Sequence, residues 1–288
     1  MGLRDASDSG EFMLRVGAVE LCAETFGERS DPALLLIMGA GASMDWWDDE
    51  LCRRLAAEGR FVIRYDTRDT GRSVTYARGA PEYAFGDLVA DALGVLDALG
   101  VERAHVVGFS LGGSIAQVAA LEHPERVASL TLIATSPGSG DLPGMTPALR
   151  AWYEHAADPP DPPEREATVE YEVAAQRAHS APSRPFDADA VRATARRAFD
   201  RTRDPLAAPA NLAVMEGGAP WRERLGELRL PVLVLHGRED PLFPGDHALA
   251  LAREIPGARL VWLEGMGHEL PRSVWASVVA EIAEHTGG

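Results

Sequence analysis

Ala104-His-Val-Val-Gly-Phe-Ser-Leu-Gly-Gly-Ser-Ile-Ala-Gln-Val-Ala-Ala-Leu121 is the stretch whose reading decides the fold. Its start, Ala104–Gly108, is a short β-rich apolar run, and Leu111–Leu121 is a small-residue helix. Between them Gly108-Phe109-Ser110-Leu111-Gly112 forms a Gly-x-Ser-x-Gly turn. The pattern alone is common by chance. Flanked by a strand and a helix it becomes specific, because a sharp turn there lifts Ser110 above the sheet edge in a strained conformation. Glycine at 108 and 112 is expected because strand and helix leave no room for side chains.

Outward from this turn, dense apolar runs alternate with helical patterns. Strands are predicted at Phe12–Val16, Val19–Thr25, Leu34–Met38, Phe61–Tyr65, Leu130–Ala134, Val232–Leu235 and Arg259–Leu263. Runs without polar alternation belong to strands covered on both faces. Helices are predicted at Trp47–Ala57, Phe85–Leu99, Asp246–Glu254 and Ser273–Glu284. In the second of these, Leu88, Val89, Ala92, Leu93, Val95, Leu96 and Leu99 form a core-facing stripe. The expected class is α/β, with a mostly parallel central sheet of about eight strands flanked by helices. From Pro137 to Leu228 no convincing strand occurs, and the helices Thr146–Ala156, Arg165–Ala178 and Ala188–Arg201 take over. This divides the chain into a core of residues 1–136 and 229–288 and a helical insertion of residues 137–228, between strands 6 and 7.

Composition narrows the possible partners. The 288 residues carry 28 basic and 44 acidic side chains, a net charge of −16, and every basic residue is arginine. Such a surface repels phosphate backbones and anionic lipid headgroups, so neither nucleic acid nor membrane is an expected partner. Two cysteines, Cys22 and Cys52, are too few for a disulfide framework or a cysteine-built metal site. No apolar run approaches a bilayer span. The N-terminal Arg4, Asp5, Asp8 and Glu11 do not read as a secretory leader, and Ala6 stands where a myristoylation signal needs Ser or Thr. A cytoplasmic protein, monomer or homodimer, without metal or cofactor, is the expectation.

A serine hydroxyl needs a base to become a nucleophile. Of eight histidines, His105 and His123 read as structural, His155 and His179 belong to the insertion, and His236 lies on a strand. His285 is near the C-terminus, and His247 is expected on a solvent-facing helix. His268, in Gly265-Met-Gly-His-Glu-Leu-Pro271, follows the last strand on a glycine-rich loop, where parallel sheets assemble their sites. It is the expected base. Asp240, ending Leu235-His-Gly-Arg-Glu-Asp240, is the expected carboxylate that fixes the imidazole tautomer, with Glu239 pointing the other way. The oxyanion donors are expected to be the backbone N–H groups of Leu111 and of Ala40, the latter in Met38-Gly-Ala-Gly41. Pocket candidates are Met44, Trp46 and Trp47 near this loop, Trp152, Tyr153, Met215 and Trp221 in the insertion, and Phe243 after the acid.

The order Ser110, Asp240, His268, together with Arg64-Tyr-Asp66-Thr-Arg68-Asp-Thr-Gly71-Arg-Ser73 and His123-Pro-Glu-Arg-Val127, resembles the α/β-hydrolase superfamily. Leu34–Gly39, Trp47, Arg64–Ser73 and Gly265–Pro271 resemble in particular the methylesterases of anthracycline-type polyketides. The resemblance implies that the insertion is a helical cap and that Asp66 and Arg68 brace the loop beside the oxyanion cradle. Met38 departs from the superfamily, where histidine often precedes the glycine. The implied activity is hydrolysis of a small-molecule carboxylic ester through an acyl-enzyme. Serine at 110 sets the chain apart from dehalogenases and epoxide hydrolases of this fold, which attack with aspartate. A lactonase or a carbon–carbon bond hydrolase would use the same three residues, and a ligand receptor of low turnover is the reading from another class.

Overall fold

A strand apolar on both faces needs a helical layer on each, and the sheet provides them. In the computed structural model, which describes residues 10–138 and 140–287, eight strands form one sheet. They are β1 (Phe12–Val16), β2 (Val19–Phe26), β3 (Ala33–Ile37), β4 (Phe61–Tyr65), β5 (Ala104–Phe109), β6 (Val127–Ile133), β7 (Val232–Gly237) and β8 (Arg259–Leu263). Their spatial order is β1-β2-β4-β3-β5-β6-β7-β8. β1 and β2 are antiparallel to each other and β2 to β4, and the remaining pairs are parallel. The expectations built on Arg4, Asp5, Ala6 and Asp8 lie outside the described residues.

Helices α1 (Asp49–Ala57), α2 (Phe85–Ala98), α3 (Leu111–Glu122), α8 (Asp246–Glu254) and α9 (Trp275–Thr286) cover the two faces. Alternation along β3 shows how. Leu35 and Ile37 join a core shared with Leu88, Leu96, Ile115 and Leu251 of α2, α3 and α8. Leu34 and Leu36 join the opposite core with Leu51, Leu55, Val278 and Ile282 of α1 and α9. Between β6 and β7 come α4 (Pro147–His155), α5 (Arg165–His179), α6 (Ala188–Arg201) and the short α7 (Ala207–Leu212), with no strand among the described residues there. The sequence reading missed α7 and a 3₁₀ turn at Arg222–Glu227. Among the described residues no helix is long and apolar enough to cross a membrane.

Helix starts follow their caps. α1 begins at Asp49 rather than at the predicted Trp47 because the Asp48 carboxylate accepts the Glu50 N–H at 2.8 Å. The residues before it, Met44–Trp46, form a separate 3₁₀ turn. His247 is corrected outright: it does not face solvent. It is buried on the inner side of α8, with Nδ1 2.9 Å from Ser136 Oγ and Nε2 2.9 Å from the Pro143 carbonyl, so α8 is tied to the chain leaving β6.

Candidate active site

The carboxyl ends of β3, β5, β7 and β8 share one edge of the sheet, where a parallel arrangement gathers its loops. At the end of β5, Ser110 takes φ 52° and ψ −117°, a left-handed conformation that costs an L residue about 1–3 kcal/mol. Packing enforces it. A Cβ on Gly108 would stand 2.2 Å from the Gly112 carbonyl oxygen, and one on Gly112 would stand 2.1 Å from that of Ile37. The Ser110 carbonyl accepts the Gly113 N–H at 2.9 Å and the Thr135 hydroxyl at 2.7 Å, and its own N–H reaches the Ile133 carbonyl at 3.0 Å.

His268 stands between two partners. Its Nδ1 is 2.9 Å from Asp240 Oδ2, and its Nε2 is 3.0 Å from Ser110 Oγ. With the carboxylate accepting from Nδ1–H, Nε2 carries a lone pair that can accept a hydrogen bond from the Ser110 hydroxyl. Asp240 is buried, and its Oδ1 accepts the N–H groups of Leu242 at 2.9 Å and Phe243 at 2.8 Å. Burial alone would push this carboxyl up. The imidazoles of His268 and His236 and the Phe243 N–H outweigh that and hold it below its ordinary value, so it is the anion. The His268 backbone N–H donates to the His179 carbonyl at 2.8 Å, which fastens the histidine loop to the end of α5.

The loop after β3 presses onto the serine. A Cβ on Gly39 would lie 3.3 Å from Ser110 Cβ, so Gly39 is in contact with the Ser110 turn. Ala40 lines the space above Ser110. Leu111 is the first residue of α3, where a backbone N–H has no acceptor within the helix. Its side chain instead packs against the core. Asp66 reaches this loop as expected: its Oδ1 accepts the Met44 N–H at 2.8 Å. Arg68 does not. It forms a two-pronged pair with Asp91 of α2, at 2.7 and 2.9 Å.

A cavity of about 1040 Å³ opens over Ser110 and His268, roofed by α4, α5 and α6. Of the expected pocket residues, Trp46, Trp152 and Tyr153 line it. Five do not. Met44 and Trp47 are fully buried under the loop, because capping at Asp48 turns Trp47 down into the α1–α9 core. Met215 and Trp221 pack on the α2–α3 side, where the Trp221 ring stacks on Phe85 at 5.7 Å and donates to Gln117 Oε1 at 3.1 Å. Phe243 packs its edge against the His268 ring at 5.3 Å, and its carbonyl is 2.8 Å from His236 Nε2. It props the acid's turn instead of lining the cavity.

Missed by sequence reading were Phe186, Phe199, Leu206 and the face of α5 that carries Thr168, Glu172, Gln176 and His179. The 3–4 spacing of that face was a usable signal, but which side of α5 turns inward depends on its packing against α6. Glu239 makes no hydrogen bond to His268 among the described residues, and its carboxylate accepts the Ser183 N–H at 3.1 Å. His179, whose imidazole burial holds below its ordinary pKa, accepts the Tyr153 hydroxyl at 3.0 Å while its Nδ1–H donates to the Ala175 carbonyl at 2.8 Å.

The family model for the alpha/beta hydrolase fold matches residues 32–271, five-sixths of the chain. The chain belongs to the α/β-hydrolase family. It is 36% identical over 298 aligned positions to rhodomycin D methylesterase DauP of Streptomyces sp. (strain C5), covering 95% of this chain and 97% of that one. It is 37% identical over 295 positions to rhodomycin D methylesterase DnrP of Streptomyces peucetius, with the same coverages. Among solved structures it is similar to 2-hydroxy-6-oxo-6-phenylhexa-2,4-dienoate hydrolase of Rhodococcus sp. strain RHA1. That match has a TM-score of 0.74 at 23% identity and covers 98% of this chain and 99% of the other. At that identity the last similarity concerns the α/β-hydrolase fold alone.

Proposed function

We propose that this α/β-hydrolase cleaves a carboxylic ester through a covalent acyl-enzyme on Ser110. The observation that carries the reading is the His268 ring, within hydrogen-bond reach of Asp240 on one side and Ser110 Oγ on the other. As Oγ bonds to the ester carbonyl carbon, its proton passes to His268 Nε2. Asp240 holds Nδ1–H and stabilises the imidazolium formed. The carbonyl oxygen, now carrying the negative charge, is received by the N–H groups of Leu111 and Ala40, each such donor being worth about 10²–10³ in rate. Collapse expels the alcohol, which takes the proton from Nε2. Water then repeats the sequence on the acyl-enzyme and releases the carboxylic acid.

The substrate class follows from two supports. Both Streptomyces relatives are rhodomycin D methylesterases at 36% and 37% identity over nearly the whole chain, which favours a methyl ester. The cavity, with Trp46, Trp152, Phe186 and Phe199 among its lining residues, suits a broad polyketide-like acyl group. Helices α4–α7 act as the cap that closes over it. The test is a panel of methyl esters of polycyclic aromatic acids, p-nitrophenyl esters and lactones, run with wild type and Ser110→Ala. Turnover of the methyl esters, lost in the variant at unchanged melting temperature, is the expected result. Turnover that survives Ser110→Ala, or failure of a fluorophosphonate to label Ser110, overturns the mechanism.

A further inference from the structure

Glu172 projects from the cavity-facing side of α5. Protein encloses it densely, yet part of its surface stays open to the cavity. The one hydrogen bond to its carboxylate among the described residues comes from Gln176 Nε2, 2.9 Å from Oε1, and it has no ion pair among them. Three other carboxylates of the cavity wall are better provided for, and Asp187 is exposed to solvent. Asp45 is paired with Arg197 and Arg201, and Glu269 with Arg184. Asp69 accepts the Tyr83 hydroxyl at 2.7 Å and the Asn211 amide at 2.8 Å. Burial accordingly pushes the Glu172 carboxyl up, with only the Gln176 amide opposing.

Aromatic rings share the cavity with it. Trp152 lies 5.0 Å from Tyr153 and 6.3 Å from Tyr171 between ring centroids, and all three line the cavity that Glu172 lines. A carboxylate lacking a counter-ion and electron-rich ring faces have one ligand preference in common, a cation with an apolar body.

We propose that Glu172 anchors a protonated amine carried by the substrate, held against the rings of Trp152, Tyr153 and Tyr171 in the roof of the cavity. This subsite rests on the esterase reading of that cavity and narrows its substrates to esters bearing a basic nitrogen away from the ester carbonyl. The ammonium supplies the missing counter-charge, and its binding draws the carboxyl into its ionised form.

The test compares 4-phenylbutylamine with its neutral counterpart 4-phenylbutanol by titration calorimetry, neither probe being an ester. Wild type is expected to bind the amine on the order of tenfold more tightly, the discrimination one charge-assisted hydrogen bond supplies. Glu172→Gln should erase that preference and leave the affinity for the alcohol unchanged. Equal affinities in wild type, a measurement that needs no variant to fold, overturn the proposal. So does a preference that survives Glu172→Gln, or an equal loss of both probes in that variant. Ester hydrolysis by the same preparation is read separately: amine selectivity without turnover removes the esterase reading, and turnover without amine selectivity removes the subsite.

Discussion

At residue scale, the site depends on which nitrogen of His268 carries the proton. Replacing Asp240 with Asn keeps an oxygen for the Leu242 and Phe243 N–H groups but turns an amide N–H toward Nδ1. Nδ1 must then accept, the ring proton moves to Nε2, and no lone pair faces Ser110 Oγ. Asp240→Asn is expected to lower kcat by about 10⁴ with little change in melting temperature. A loss below tenfold would mean another group fixes the tautomer. Gly112 makes a different demand. A methyl there would overlap the Ile37 carbonyl at 2.1 Å, so Gly112→Ala must push β3 and α3 apart. The expected cost is about 1–3 kcal/mol by urea unfolding, with activity lost further because the turn holding Ser110 shifts. Gly108, Ser110 and Gly112 were legible because strand, turn and helix chemistry coincide within five residues. The pocket was not. Trp47 and Trp221 have the composition of pocket walls, and only packing reveals that one fills the α1–α9 core while the other stacks on Phe85. Glu172 passed unnoticed because an acidic residue on an Arg- and Glu-rich helix looks like a solvated face.

Elements of the sheet were readable from their continuous apolar runs, but strand ends differ: β6 runs Val127–Ile133 against the expected Leu130–Ala134, and β3 Ala33–Ile37 against Leu34–Met38. Among the helices, the start of α1 moved where a cap intervened at Asp48. How the helices between β6 and β7 attach to the sheet was not readable, since their contacts are long-range and polar. A buried attachment is made by Arg201 at the end of α6. Its guanidinium meets Asp45, Asp66 at 2.8 Å and Glu11 at 2.6 Å, with the arginine side chain only 6% exposed and that of Asp66 fully buried. Asp66 in turn holds the Met44 N–H below the Gly39–Gly41 loop. One arginine therefore couples α6 to the loop over Ser110. Arg201→Leu leaves buried carboxylates without their cation, a loss of about 3–5 kcal/mol when one member of a buried pair is removed. Chemical denaturation at pH 7 should show that drop, accompanied by slower ester turnover as the loop loosens. A loss under 1 kcal/mol would show that solvent or Arg197 replaces the missing charge.

Across the whole molecule, histidines buried for structural reasons tie stability to pH. Burial lowers the pKa of His105 to about 4 and holds His236 and His285 below their ordinary values as well. In the unfolded chain all three take up protons near pH 6.5. Between that pH and their folded values the unfolded state binds more protons, so folding stability rises with pH through this window and falls as acid is added. His105 and His285 suit the test because they lie away from the Ser110 end of the sheet: His105 is near the start of β5 with Nδ1 2.8 Å from Ser129 Oγ, and His285 is near the end of α9 with Nε2 3.1 Å from the Leu130 carbonyl. A His105→Gln/His285→Gln double variant, unfolded in urea at pH 7, 6 and 5, should lose less stability on acidification than wild type. Its slope should be shallower by less than the roughly 1.4 kcal/mol per pH unit of each fully coupled proton, because both rings are partly exposed and solvent screens them. Ester turnover at pH 7 should be unchanged. Parallel slopes for the two proteins would assign the acid sensitivity to other groups, with fully buried His236, 3.7 Å from Asp240, the next to be substituted.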